Sequence, residues 1–267
     1  MMDFVKKNKP YLILLLVVIV GYWQISFLAY ALKWDNIDVV FPFRHYFSQC
    51  IQSGYFPFWN PYQQTGTPFF SDLQAPTYSP ELLFISLFST YGIYTMHFLF
   101  IAYVFIAGLG MYRLSMYFNK SSWASLMAAV AYSFSGFIVG HGQHLFLLIG
   151  AAWLPFVIKN YLELNVNRSK LNVLKTALFV FLMLTSAYQA LSIVLVYLML
   201  LLFLYFLIKE LKQKNYKAVR EILVVNSYLF LVVVVFSLPL LISTLEILPF
   251  VERFEHGISI DSCLLYT

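Results

Sequence analysis

Apolar residues in this chain come in long, nearly unbroken runs, and polar residues fall between them rather than alternating with them. A helix needs about 20 apolar residues to cross the hydrocarbon core of a bilayer. Seven stretches meet that requirement approximately: Tyr11–Leu32, Tyr91–Met116, Ser122–Gly140, Phe146–Glu163, Leu171–Ala187, Ala190–Ile208 and Ile222–Leu245. The segment Glu81–Thr90 is apolar but too short to span, and it predicts a helix lying in or dipping into the interface. The pattern therefore predicts an all-α, polytopic membrane helix bundle, a single module over residues 1–267. Residues 33–90 form its large first external loop, and 246–267 an external tail.

That loop is the most unusual part of the pattern. Between Trp34 and Pro80 lie six of the ten prolines, with only Asp35, Asp38, Arg44 and Asp72 charged, amid many aromatics. A solvated linker would be more polar, and a span would contain neither prolines nor acids. The composition predicts a segment folded against the bilayer surface, with carboxylates in a largely apolar setting. Asn60 before Pro61 favours extended backbone, and Gly66 permits a tight reversal.

Composition agrees with the pattern. The chain is 61% hydrophobic and 11% charged, against roughly 45–50% and about 25% for soluble domains, so it belongs to a membrane. The net charge of +5 is consequently no sign of nucleic acid. Lys and Arg are retained on the cytoplasmic side of membrane proteins, which orients the chain with its N-terminus inside. Fourteen of the 17 basic residues then lie inside, and only Lys33, Arg44 and Arg253 outside. A full span at Glu81–Thr90 would invert the rest and place Lys209–Arg220 outside. Eight of the twelve acids and four of the five histidines fall on the external face, where most groups fit for acid–base or metal chemistry collect. The first span could be read as a secretory signal, with Ala29-Tyr30-Ala31 as cleavage site. Its length and bulky end favour an uncleaved helix. Gly136 and Gly140, and Gly108 with Gly110, are expected at close helix contacts. The chain ends soon after its last span and reads as the N-terminal part of a longer protein.

Four groups could carry chemistry. Asp35 and Asp38, directly after the first span, can hold a divalent cation such as Mg or Mn, or one of them can take a proton from a hydroxyl while the other bears charge. Acids there can also simply cap the next helix. Trp59, Asn60, Asp72 and Gln74 belong to a stiff, aromatic-anchored stretch suited to contacting substrate. His141 and His144 have i, i+3 spacing, compatible with metal ligation, a phosphate or sugar contact, or a polar turn, and Gln189 stands at the next external turn. Glu246 and Arg253 lie in the tail, where Arg253 can meet an anionic head group or pair with Glu252 or Glu255.

Together these residues resemble the bacterial YfhO-like membrane proteins of the GT-C glycosyltransferase superfamily. The resemblance rests on an acid after the first span, Phe41-Pro42, Gly54, Pro57, Trp59-Asn60-Pro61-Tyr62, Gly66, Pro68, Asp72, Gln74 and Tyr78. Further on it includes Ser135-Gly136-Phe137, Trp153-Leu154-Pro155, Gln189, Glu246, and Arg253 with Gly257. The chain departs from it at Ala187-Tyr188, where a Gly-His-like pair is common, and in being much shorter than family members. The resemblance implies a GT-C fold in the bacterial cytoplasmic membrane. It also implies transfer of a sugar from a polyprenyl-phosphate carrier to a cell-envelope acceptor. In that scheme Asp35 or Asp38 is the base or cation-organising acid, and Arg253 binds the lipid phosphate. A transporter or flippase is the rival reading and would need ionisable residues along the spans, where His97 is the clearest candidate. A non-catalytic lipid-binding scaffold is a third.

Overall fold

The structure is a computed structural model that describes residues 2–250 except Gln64, Leu73 and Ala187, with side chains from Asn8 onward. Arg253 and the rest of the tail expected to bind head groups lie outside the described residues. The chain is a multi-pass membrane helix bundle. Among the described residues, five helical stretches are long and apolar enough to cross a bilayer, the broken Ser122–Gly140 counted as one, and two shorter apolar helices accompany them.

The first helix, α1 (Met2–Gly21), stops well short of the predicted Leu32, and only a short turn, α2 (Trp23–Ser26), continues it. The break has a packing cause. A Cβ on Gly21 would lie 2.3 Å from the Phe134 ring, and Tyr22 stacks on that ring at 5.0 Å while its hydroxyl donates to the Ser133 carbonyl. After a π-helical turn at Asn36–Val40, α3 (Phe41–Gln52) runs through the loop with Pro42 in its first turn, where a missing N–H costs nothing. A two-residue pair follows, β1 (Trp59–Asn60) against β2 (Thr67–Pro68), antiparallel with Trp59 opposite Pro68. Gly66 closes it at φ +115°, and its missing Cβ leaves room for the Trp59 indole, 2.5 Å from where that atom would stand. The predicted interfacial helix is α4 (Pro80–Ser86). It buries Leu82 and exposes Leu83 and Phe84, and its seven residues cannot span.

The bundle proper begins with α5 (Ile93–Asn119), which ends where Lys120 turns left-handed at φ 54°. The predicted Ser122–Gly140 span is interrupted. Helix α6 (Ser122–Ser133) stops, and Ser135 caps a new start, α7 (Gly136–Gly140), by accepting from Ile138 N. Helices α8 (Leu145–Val166), α9 (Lys170–Leu184) and α10 (Gln189–Lys212) match their predicted spans within a few residues. The last predicted span is corrected at both ends. Asn215 accepts from Ala218 N and starts α11 (Tyr216–Phe236) early, and the chain breaks at Ser237 before α12 (Leu238–Ile247), with Pro239 in its first turn.

Ring and side-chain contacts fix the directions. Tyr11 meets Tyr112 and Tyr22 meets Phe100, so α1 and α5 are antiparallel. Tyr161 bonds Asn226 and Arg168 bonds Glu221, so α8 and α11 are antiparallel too. Gly108 and Gly110 sit at close contacts, against Leu14 with Ser133 and against Phe156 with Pro155. Gly136 and Gly140 do not: nothing lies within 4 Å of an added Cβ at either, so the expected contact there is absent. The outward face of α10 shows Ile193, Val196, Leu200, Leu204 and Ile208, the apolar surface that lipid would cover. One end of the bundle thus carries Lys120, Arg168, Lys170 and Lys209–Arg220, and the other carries the acidic, aromatic loop.

Candidate functional site

The loop end is organised around Asn36, which is fully buried. Its Nδ2 donates to the Gly142 carbonyl at 2.8 Å, and its Oδ1 accepts from Leu145 N at 2.8 Å. Leu145 N is one of the four orphan donors at the start of α8, so a side chain from the first loop caps that helix. His144, the residue before α8, offers no cap of its own. This clamp fixes the neighbouring Asp35 against the turn of α8. Asp35 Oδ2 lies 3.4 Å from His144 Nε2, with the Asp35 side chain 44% exposed. His144 Nδ1 in turn lies 3.4 Å from His141 Nδ1. One tautomer set serves both contacts with neutral imidazoles: His141 Nδ1–H faces His144 Nδ1, and His144 Nε2–H faces the carboxylate. The ring chain continues through Phe146, which stacks on Tyr188 at 5.4 Å, and Tyr188 immediately precedes the half-buried Gln189. Asp35, His141 and His144 are therefore brought together from distant parts of the sequence.

The approach to Asp35 is strained. Trp34 sits at φ 56°, a region that costs a bulky residue roughly 1–2 kcal/mol. Its carbonyl accepts from the backbone N–H groups of Ile37 and Asp38, which turns the chain sharply at the carboxylate. The Asp38 side chain is exposed and makes no hydrogen bond or ion pair among the described residues. Asp35 and Asp38 were also candidate cation ligands. No group of three or more His, Cys, Asp or Glu gathers as a metal set among the described residues.

The remaining candidates lie apart from this cluster. Asn60 is buried, and its Oδ1 accepts from Tyr62 N at 3.1 Å. Asp72 Oδ1 accepts from Gln74 N at 2.8 Å, while Gln74 itself is exposed. Both are local turns in which a side chain satisfies backbone two residues on. Trp59 is half-exposed; its carbonyl accepts from the Tyr46 hydroxyl at 2.5 Å. Glu246 is exposed on α12 and borders a cavity of about 370 Å³ with Phe70, Tyr78 and Ile242.

A second polar group escapes sequence reasoning. Arg44, on α3, is 2% exposed. Its Nη2 donates to Glu81 Oε1 at 3.1 Å, and the Ser79 hydroxyl donates to Glu81 Oε2. Burial is the largest influence and opposes the Arg44 charge, but Glu81 together with the Tyr91 and Tyr103 hydroxyls outweighs it and leaves the guanidinium pKa raised. The guanidinium lies over the Tyr91 ring, 5.7 Å from its centroid, and neither Arg44 Nη1 nor the Tyr91 hydroxyl finds a hydrogen-bond partner among the described residues. Burial pushes the Tyr91 phenol up to about 12, with the Arg44 cation pulling the other way. His45 Nδ1 meets the Tyr91 carbonyl at 2.7 Å. This network ties α3 to α4 and to the start of α5. The only signal for it in the sequence is one arginine set among aromatics.

Against family models, curated proteins and solved structures, the chain finds no match.

Proposed function

We propose that this chain is the membrane module of a GT-C-like glycosyltransferase, related to the YfhO-like proteins, that passes a sugar from a polyprenyl phosphate to an acceptor hydroxyl at the loop end of the bundle. The observation that carries the reading is the half-exposed Asp35 carboxylate held 3.4 Å from His144 at the membrane rim. A rigidly placed acid with a histidine behind it is the equipment of a general base. Asp35 takes the acceptor's proton, and the freed oxygen attacks the anomeric carbon. The bond from that carbon to the phosphate oxygen breaks, and its electron pair leaves with the polyprenyl phosphate. His144 orients the carboxylate through its Nε2–H, and the proton taken by Asp35 passes to water from the exposed side of the carboxyl group. Placement of base and electrophile supplies much of the rate.

Support also comes from an apolar cleft of about 260 Å³ where the loop meets the bundle, lined among others by Phe47, Phe56, Tyr78, Leu83, Phe181 and Phe236. Such a wall suits an isoprenoid chain entering from the bilayer. Passage of a solute through the bundle has less behind it. His97, its candidate residue, is buried with Nδ1 2.9 Å from the Ile93 carbonyl and Nε2 3.2 Å from that of Tyr30, which makes it a tie between α5 and the end of the first segment.

The test is transfer of labelled sugar from a polyprenyl-phosphate donor by the chain in liposomes, alongside donor retention on the immobilised protein. Asp35→Asn is expected to retain donor while turnover falls about 10²–10⁴-fold, the usual contribution of a general base. Undiminished turnover in Asp35→Asn would remove the carboxylate from the mechanism.

A further inference from the structure

The opposite end of the bundle carries a second concavity, of about 830 Å³, between the starts of α9 and α11. Its mouth holds Arg168, Lys170, Lys217 and Arg220 against a single acid, Glu221. Arg168 Nη1 donates to Glu221 Oε2 at 2.8 Å, so that carboxylate is already engaged. Lys170, Lys217 and Arg220 have no acidic partner among the described residues. Arg168 Nε is buried and has no hydrogen-bond partner among the described residues. Native structures rarely leave such a group unmatched.

Two further features favour an anion. Helices α9 and α11 both begin here, at Lys170 and Tyr216, and their N-terminal dipole ends add positive potential. Their first N–H groups are partly satisfied by Ser169 and Asn215, so the attraction is one of field as much as of direct donors. Deeper in, the wall becomes apolar, with Val224 and Tyr228. A basic mouth over an apolar wall is the profile of a phospholipid, anionic at its head and hydrocarbon below. A free anion would have no use for the apolar part.

We infer that this cavity binds one anionic phospholipid from the leaflet at the basic end, its phosphate among Arg168, Lys217 and Arg220 and its upper acyl chain along Val224 and Tyr228. Basic pockets between membrane helices recognise anionic head groups in this way. The site is independent of the sugar-transfer reading, being at the other end of the bundle.

Native mass spectrometry of the detergent-solubilised chain tests it, with phosphatidylglycerol and phosphatidylcholine offered at equal concentration. Phosphatidylglycerol is expected to be retained preferentially. Each Lys or Arg near an anionic head group contributes about fivefold, so Lys217→Ala/Arg220→Ala is expected to weaken phosphatidylglycerol about 25-fold and leave phosphatidylcholine unchanged. The charge-retaining Lys217→Arg/Arg220→Lys variant keeps the preference. It also separates loss of charge from loss of fold, with helix content by circular dichroism as control. Equal retention of both lipids by the wild type would overturn the proposal, as would a preference that survives the alanine pair. Displacement of the bound lipid by equimolar inorganic phosphate would also overturn it, because the site would then be one for a free anion.

Discussion

Replacing Glu81 by leucine removes the only carboxylate that faces Arg44 among the described residues. The Arg44 side chain is 3% exposed and that of Glu81 24%. Breaking a buried ion pair by removing one partner costs about 3–5 kcal/mol, because a charge is left without compensation. Partial exposure of Glu81 lets water reach one edge of the pair, so the lower end, about 3 kcal/mol, is expected. The Ser79 hydroxyl loses its acceptor in the same step. Removing both charges, as Arg44→Met/Glu81→Leu, abolishes the stranded cation and fills similar volume. That variant forfeits the contact of the guanidinium with Tyr91, which at this buried position is worth about 2 kcal/mol. The double variant is therefore expected to be about 1 kcal/mol more stable than Glu81→Leu alone. Equilibrium unfolding in mixed micelles, followed by tryptophan fluorescence, measures the order. A double variant no more stable than the single would refute the reasoning, since the stranded charge would not then be the source of the loss.

Other substitutions examine other parts of the fold. Asn36→Ala leaves Leu145 N and the Gly142 carbonyl without their partner and is expected to cost about 2–4 kcal/mol in the same unfolding assay; a loss below about 0.5 kcal/mol would show that the clamp is dispensable. Gly66→Ala combines positive φ with collision against the Trp59 indole, and proteolysis of the 59–68 hairpin is expected to accelerate. Unchanged cleavage would contradict that packing. The Tyr91 pKa is raised to about 12 from an ordinary value near 10, so the folded state holds this proton more tightly than the unfolded chain. The associated stability is whole below about pH 10 and is lost as pH rises through 12. Tyr91→Phe is accordingly expected to lose less stability than the wild type between pH 10 and 12, and equal loss would place the effect elsewhere.

Uniform apolarity was enough to locate α5, α8, α9 and α10, because a helix among lipids needs little beyond length and composition. The interruptions were harder to see. Pro239 did signal the start of α12, but the predicted Ile222–Leu245 span ran through it. The early start of α11 depends on the Asn215 cap, which outweighs the polar character of Lys217, Arg220 and Glu221. The end of α1 depends on contact with Phe134, more than a hundred residues on, which no local pattern carries. The site divides in the same way. Asp35 stood out by its place after the first apolar run, and His141 with His144 by their spacing. Their meeting depends on Asn36, whose amide looked like one more polar loop residue. Asn60 and Asp72 have the residue types of a binding loop, yet each turns an oxygen onto backbone two residues away. Arg44 and Glu81 read as isolated loop charges because pairing across the loop is a property of the fold alone.

The most direct measurement sets Asp35→Asn beside Asp38→Asn in the liposome sugar-transfer assay. The two acids lie three residues apart, but only Asp35 is held against His144. A loss of at least a hundredfold in Asp35→Asn, with less than tenfold in Asp38→Asn, is the expected result. Equal activity in both variants, or a loss confined to Asp38→Asn, would contradict the assignment of chemistry to the rim pair.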